Sequence, residues 1–385
     1  MKYLQLVWLF VGCAFTFSSS AEIQISGYGS IIAGKTLGSV DDPINLGQRR
    51  DETFTADFYD VGQYTNDLSF NTESILSVQG VYALSSQFSV TTQVVAKGVD
   101  DFTPEVDWYY ATYRPTEDWT FMAGRRNIPM YYYSEFSEVG YAYPWMRPPA
   151  NLYWWQITQF NGVHAMYTFN WGDTSNTITS FYGNEYSDDN KEMGFYEVLF
   201  GGKDSTRVEE NWTSIAGVNW NVSGSLSESV FYDVRFVYFQ HELERINHIV
   251  DADNTMLLTS QKFFGFGGSV DIPNVTVLFD FNFVTRDDVL GTEYPTYLVS
   301  LVYHYDSFHP YISYSKADSK RTEGSLPTAE LEEHYISSVG IRYDFLPNIA
   351  FKAQIDRFVD QGYVPDGWNY HGDARVVSAG IDFIF

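Results

Sequence analysis

The sequence predicts an all-β fold: a transmembrane antiparallel β-barrel of about sixteen strands. Three observations point there. Strand-length segments alternate apolar and polar side chains along the whole chain. The connections between them alternate short and long. Aromatics make up 18% of the chain, with 30 Tyr and 30 Phe, a load suited to girdles at two membrane interfaces. No stretch after residue 21 approaches eighteen uninterrupted apolar residues, so spanning helices are excluded.

Residues 1–21 read as a cleaved signal peptide and 22–385 as the barrel. Lys2 supplies the positive start, Leu4 to Phe17 the apolar region, and Ser19-Ser20-Ala21 the small-residue cleavage site. Val11-Gly12-Cys13 is also lipobox-like, which would leave an unusually short signal. Cys13 is the only cysteine. The mature chain of 364 residues (385 minus 21) therefore has no disulfide, thiolate metal site or cysteine nucleophile.

Strands are expected at 23–33, 68–83, 87–98, 105–114, 118–125, 160–171, 176–186 and 211–222. The second half gives 228–241, 258–272, 274–285, 294–305, 309–317, 334–345, 348–358 and 374–385. Val275, Val277, Phe279, Phe281 and Phe283 form one face against Thr276, Asp280 and Asn282. Tyr297, Val299, Leu301, Tyr303 and Tyr305 repeat this against Ser300 and His304. In the last segment Val377, Ala379, Ile381, Phe383 and Phe385 oppose Ser378, Gly380 and Asp382. Short turns fall at Leu84-Ser85-Ser86, Pro115-Thr116-Glu117, Gly172 to Ser175, Ser223 to Ser227, Pro273, Asp306-Ser307-Phe308 and Leu346-Pro347. Between them lie the long stretches 34–67, 126–159, 187–210, 242–257, 318–333 and 359–373, with shorter ones at 99–104 and 286–293. Short periplasmic turns alternating with longer external loops is the layout of a membrane barrel. An even strand number lets the first strand pair with the last and leaves no edge exposed to lipid.

The net charge of −26 disfavours nucleic acid as a partner. Acid gathers in the long stretches: Asp41, Asp42, Asp51 and Glu52; Asp188, Asp189, Glu192, Glu209 and Glu210; Glu330, Glu332 and Glu333. These form a solvated, self-repelling surface, or loosely hold calcium or magnesium that bridges to anionic lipid and lipopolysaccharide. No other cofactor is implied.

The layout, the length and the terminal Phe385 resemble the sixteen-stranded diffusion porins of Gram-negative outer membranes. One block is more specific: Asp118-Trp119-Thr120-Phe121-Met122-Ala123-Gly124-Arg125-Arg126-Asn127-Ile128-Pro129, then Tyr131-Tyr132-Tyr133-Ser134 and Val139-Gly140-Tyr141-Ala142-Tyr143-Pro144-Trp145-Met146-Arg147-Pro148-Pro149. It is similar to a porin-like family of marine and aquatic γ-proteobacteria with a Gly-Arg motif and a Tyr-rich Gly-Tyr-Ala-Tyr loop. The resemblance implies an outer-membrane location and admits a homotrimer. It makes Phe385 part of the signal read by the barrel-assembly machinery. It also implies that the 126–159 segment, after the fifth strand, folds inward as a constriction loop. In the enterobacterial porins that loop is acidic; here it is aromatic and Pro-rich, with Glu135, Glu138 and Arg147 as its charges, so their selectivity rules do not carry over.

The expected function is a water-filled channel for passive diffusion of ions and small hydrophilic solutes. By strand parity Lys97, Arg235, Arg342, Lys352, Asp107, Asp233, Asp280, Asp356 and Asp382 face the lumen. Arg125 and Arg126 head the constriction segment, with Arg147 towards its far end. They either form a positive ring favouring anions or pair with Glu135, Glu138 or lumen aspartates and pin the loop. An outer-membrane hydrolase is the weaker alternative, because no Gly-x-Ser-x-Gly or His-Glu-x-x-His motif accompanies the seven histidines. His241 and His248, with Glu242 and Glu244, read as a solvated loop or a weak metal site. A structural or adhesive barrel, or a sheath for a partner protein, would use Trp145, Trp154 and Trp155 as a binding surface; stacking of sugar rings in the pore competes for the same residues.

Overall fold

The computed structural model describes residues 23–41, 48–55, 63–153, 155, 157–190, 206–250, 253–287, 291–322, 333–361 and 372–385. Residues 1–21, read from the sequence as a signal peptide, lie outside the described residues, as do Trp154 and the acids Asp42, Glu192, Glu330 and Glu332.

Sixteen strands form one closed antiparallel sheet. They are β1 (Ile23–Thr36), β2 (Ile75–Ala83), β3 (Phe88–Lys97), β4 (Pro104–Tyr113), β5 (Trp119–Asn127), β6 (Gln159–Trp171), β7 (Thr174–Ser187) and β8 (Thr206–Ser227). Then follow β9 (Val230–Ile249), β10 (Thr255–Ile272), β11 (Val275–Asp287), β12 (Thr292–Tyr303), β13 (Phe308–Asp318), β14 (Glu333–Leu346), β15 (Ile349–Asp360) and β16 (Ala374–Ile384). Each pairs with its neighbours in sequence, and β1 closes the ring. Its first half pairs with β2, from Ile23 with Tyr82 to Ser30 with Ile75. Its second half pairs with β16, from Tyr28 with Ile384 to Thr36 with Val376. Among the described residues each of the sixteen strands pairs on both sides, as hydrocarbon requires.

Two regions depart from the expected spans. The hairpin β8–β9 runs well past 211–222 and 228–241, so Glu209, Glu210, His241, Glu242, Glu244 and His248 lie on strands, not in loops. Their charges suggested loops, yet they pair across the ladder. Glu210 sits directly opposite Arg245, and the two make a buried ion pair at 2.5 Å. Glu209 meets His248 at 2.8 Å. The connection from β1 to β2 also folds back: Phe54 and Tyr64 are buried against Ile336, Ala374 and Val376. Glu52, read from the sequence as a solvated acid, is buried and pairs with Arg375 at 2.8 Å.

The outer face carries the exposed apolar side chains that lipid requires, among them Ile31, Val78, Val163, Phe264, Leu301, Val339 and Ile355. Aromatic rings stack from strand to strand near the short turns: Phe88 on Tyr113 and Phe308 on Tyr343, each with centroids 4.4 Å apart. Phe383 and Phe385 continue that girdle on β16 and its end.

The inside is not uniformly wet. Between β6 and β13 the inner wall presents Phe160, Phe181, Trp212, Val237, Phe239, Phe263, Leu278, Leu298 and Val302, all buried. They pack against the segment that connects β5 to β6.

Candidate functional site

The 128–158 segment enters the lumen because its own composition drives it there. Ile128, Met130, Tyr131, Tyr143, Trp145, Leu152, Trp155 and Ile157 are buried with the inner-wall cluster. A fully buried side chain of this size contributes about 1.5–3 kcal/mol over an exposed one. The filling is a core, as in a soluble domain, inside a barrel.

Polar ties then fix its position. The Tyr132 N–H and the Tyr153 hydroxyl both donate to Asp280 Oδ2, each at 3.0 Å. The Tyr132 hydroxyl donates to Asp233 at 2.9 Å, and Arg235 is buried beside Asp280. Trp145 Nε1 donates to Ser300 Oγ at 3.0 Å, and the Met146 N–H to Gln354 Oε1 at 2.7 Å. Lys352 donates to the Gly140 and Trp145 carbonyls at 2.5 and 2.7 Å while pairing with Asp382 at 2.9 Å. Arg342 donates to the Tyr141 and Tyr143 carbonyls at 2.6 and 3.2 Å. Gly140 packs so close to the wall that a Cβ there would strike the Asp382 carboxylate and Ser30 Oγ.

Arg147 is the most enclosed tie. It forks onto Glu73, reaches Asp356 Oδ2 at 2.6 Å and donates to Ser378 Oγ at 3.0 Å. The rings of Phe54 and Tyr64 lie 5.6 and 5.7 Å from its guanidinium. Burial alone would lower the Arg147 pKa; Glu73 and Asp356 outweigh it and hold the group well above its ordinary value.

The lumen residues read by parity do face inward, but most serve as anchors. Asp233, Asp280, Arg342, Lys352, Asp356 and Asp382 hold the inward segment or one another, and of these Asp280, Lys352, Asp356 and Asp382 are buried. The three arginines form no positive ring. Arg125 pairs with Glu185 at 2.5 Å, and Arg126 with Glu135 at 2.8 Å, over the Tyr110 ring. Arg147 is engaged by two acids, so pairing is what occurs. Glu138 pairs with Lys97 at 2.5 Å and accepts from the Tyr28 hydroxyl at 3.1 Å. Glu73 and Glu185 were missed. Glu73 shares parity with Ser77 and Gln79 of β2, and that was the available signal.

A cavity of about 420 Å³ lies between the inward segment and β1–β5. Its charged lining is Glu73, Asp100, Glu105, Asp107 and Glu138 against Lys97, Arg125 and Arg147. Asp107 is held by the side-chain amides of Gln93, at 2.9 Å, and Gln159. Carboxylates outnumber cations here. His241 is buried against Trp212, and among the described residues no group of three His, Cys, Asp or Glu side chains is placed to hold an ion.

No family model and no curated protein matches the sequence. Solved structures do match. OmpT, an outer membrane protein of Vibrio cholerae, aligns over 97% of this chain and 100% of its own at 12% identity, with a TM-score of 0.58. The outer membrane channel DcaP of Acinetobacter baumannii aligns over 96% and 99% at 10% identity and TM-score 0.55. An anion-selective porin from Comamonas acidovorans aligns over 95% and 100% at 11% identity and TM-score 0.51. The fold is that of the outer-membrane porins. At such identities the likeness shows the fold alone. In this porin-type barrel the cavity beside β1–β5 is the candidate site, and the inward segment after the fifth strand is what bounds it.

Proposed function

We propose that the chain is a narrow outer-membrane channel for passive diffusion of small hydrophilic solutes and ions, with the cavity beside β1–β5 on its path. The observation that carries this reading is a space of about 420 Å³ with a charged lining beside β1–β5, while the inward segment packs its apolar side chains on β6–β13. The path favours cations. Screening acts over about 8 Å at physiological salt, so charges at the passage outweigh those on distant loops. Lys97 and Arg147 are each engaged by acids, while Asp107 is held by amides. A homotrimer fits this role, and one OmpT structure is described as a trimer form. Export through residues 1–21, assembly guided by Phe385, and lipopolysaccharide contacts aided by loosely held calcium or magnesium belong to the same reading.

The test is a reversal potential in planar bilayers under a KCl gradient. The wild type is expected to prefer K⁺, and Glu105→Gln with Asp107→Asn to move the potential towards Cl⁻. An anion-selective wild type insensitive to that change would refute the charge assignment. A correctly folded barrel without conductance steps would refute the channel.

A further inference from the structure

Five side chains meet inside the short-turn end of the barrel. They are Asp271 of β10, Thr276 of β11, His304 just after β12, His309 of β13 and Asp344 of β14. Each shares parity with buried inner-wall residues of its strand, such as Phe263, Leu278, Val302, Tyr311 and Ile336. They form one chain of contacts. Thr276 Oγ1 lies 2.5 Å from Asp271 Oδ1 and 2.8 Å from His304 Nε2. His304 Nδ1 lies 3.0 Å from His309 Nδ1. His309 Nε2 lies 3.1 Å from Asp344 Oδ2.

Both outer ring nitrogens already have partners. An ionised carboxylate only accepts, so His309 donates from Nε2 to Asp344 Oδ2. The Thr276 hydroxyl donates to Asp271, and its oxygen is what His304 Nε2 meets. The two Nδ1 atoms are left facing each other across 3.0 Å.

We propose that His304 and His309 bind a divalent transition-metal ion of the Zn²⁺ class through their Nδ1 atoms, with water completing its coordination. Metal–nitrogen bonds of about 2.0–2.1 Å at a tetrahedral angle put the two nitrogens about 3.3 Å apart. The observed separation of 3.0 Å needs only a few tenths of an ångström of adjustment. The outer partners are already in place: a carboxylate behind His309, and a hydroxyl backed by a carboxylate behind His304, the arrangement that orients metal-bound imidazoles. Hard cations such as Mg²⁺ prefer oxygen ligands and are not expected here. With two protein ligands the ion exchanges readily, as suits a site facing a lumen. Asp344 also accepts from Arg342 at 2.7 Å, and Arg342 holds the Tyr141 carbonyl, so the site adjoins the inward segment.

The experiment is calorimetric titration of the folded full chain with Zn²⁺, and separately with Mg²⁺, at neutral pH. The wild type is expected to bind Zn²⁺ in preference to Mg²⁺. His304→Asn and His309→Asn should each weaken Zn²⁺ binding at least 10-fold, and Asp344→Asn about 10- to 100-fold. His248→Asn, on the opposite end of the wall, should leave it unchanged. Should a histidine variant fail to assemble, diethylpyrocarbonate labelling of the wild type decides, with Zn²⁺ protecting both His304 and His309. Equal Zn²⁺ binding in the His304→Asn/His309→Asn double variant, equal affinity for Mg²⁺, or labelling unaffected by Zn²⁺ would overturn the proposal.

Discussion

Replacing Arg147 with alanine should loosen the inward segment beside the cavity while leaving the barrel assembled. Arg147 is 6% exposed and holds two acids, Glu73 and Asp356, on different parts of the wall. Removing one partner of a buried ion pair costs about 3–5 kcal/mol, mostly through the charges left unpaired. Here the lower end applies, because Arg147 borders the cavity and water there can reach Glu73. About 3 kcal/mol is roughly a 100-fold change in the ratio of docked to undocked segment. The Trp145–Ser300, Lys352 and Asp280 ties remain, so the change stays near residues 146–150. Arg147→Lys should recover only part of the effect, since an ammonium cannot reproduce the guanidinium fork. The assay is single-channel recording in planar bilayers, with heat-modifiable gel migration to verify assembly. Arg147→Ala should show added current noise, new substates and a larger mean conductance. A correctly assembled variant with wild-type conductance and noise would refute the pinning role.

The remaining predictions concern packing. Trp145→Ala empties the centre of the lumen cluster and should cost about 3–5 kcal/mol, read as a lower temperature for the gel-mobility shift; an unchanged temperature would mean that the cluster contributes little. Gly27→Val places side-chain atoms where the Phe385 ring and the Ser77 carbonyl sit, and should reduce assembled barrel in the outer membrane. Gly80→Val, with nothing within 4 Å of the new Cβ, is the matched control and should assemble normally.

Much of the frame was legible because the strand period is short and strict. The sixteen strands, the closure of β1 on β16, and the inward parity of Asp280, Lys352, Asp356 and Asp382 all followed from alternation. The inward segment came from a family resemblance, supported by aromatics too dense to lie in water. The dry side of the lumen was not legible. Phe263 faces in and Phe264 faces out, and hydrophobicity alone cannot say which side is lipid. Pairing was hidden for a different reason. Arg147 meets Glu73 and Asp356 across 74 and 209 residues of chain, distances at which a single sequence carries no contact signal. The reach of β8 and β9 was lost because Glu210 and Arg245 look solvated until they are placed opposite each other.

The most direct measurement compares the conductance and solute size limit of the wild type with those of a chain whose 130–148 stretch is replaced by a short Gly-Ser linker. The proposal under test is that this segment packs into the lumen against β6–β13 and narrows the path beside β1–β5. A several-fold rise in conductance, with admission of larger solutes, is the predicted result. An assembled barrel with unchanged conductance and size limit would contradict it.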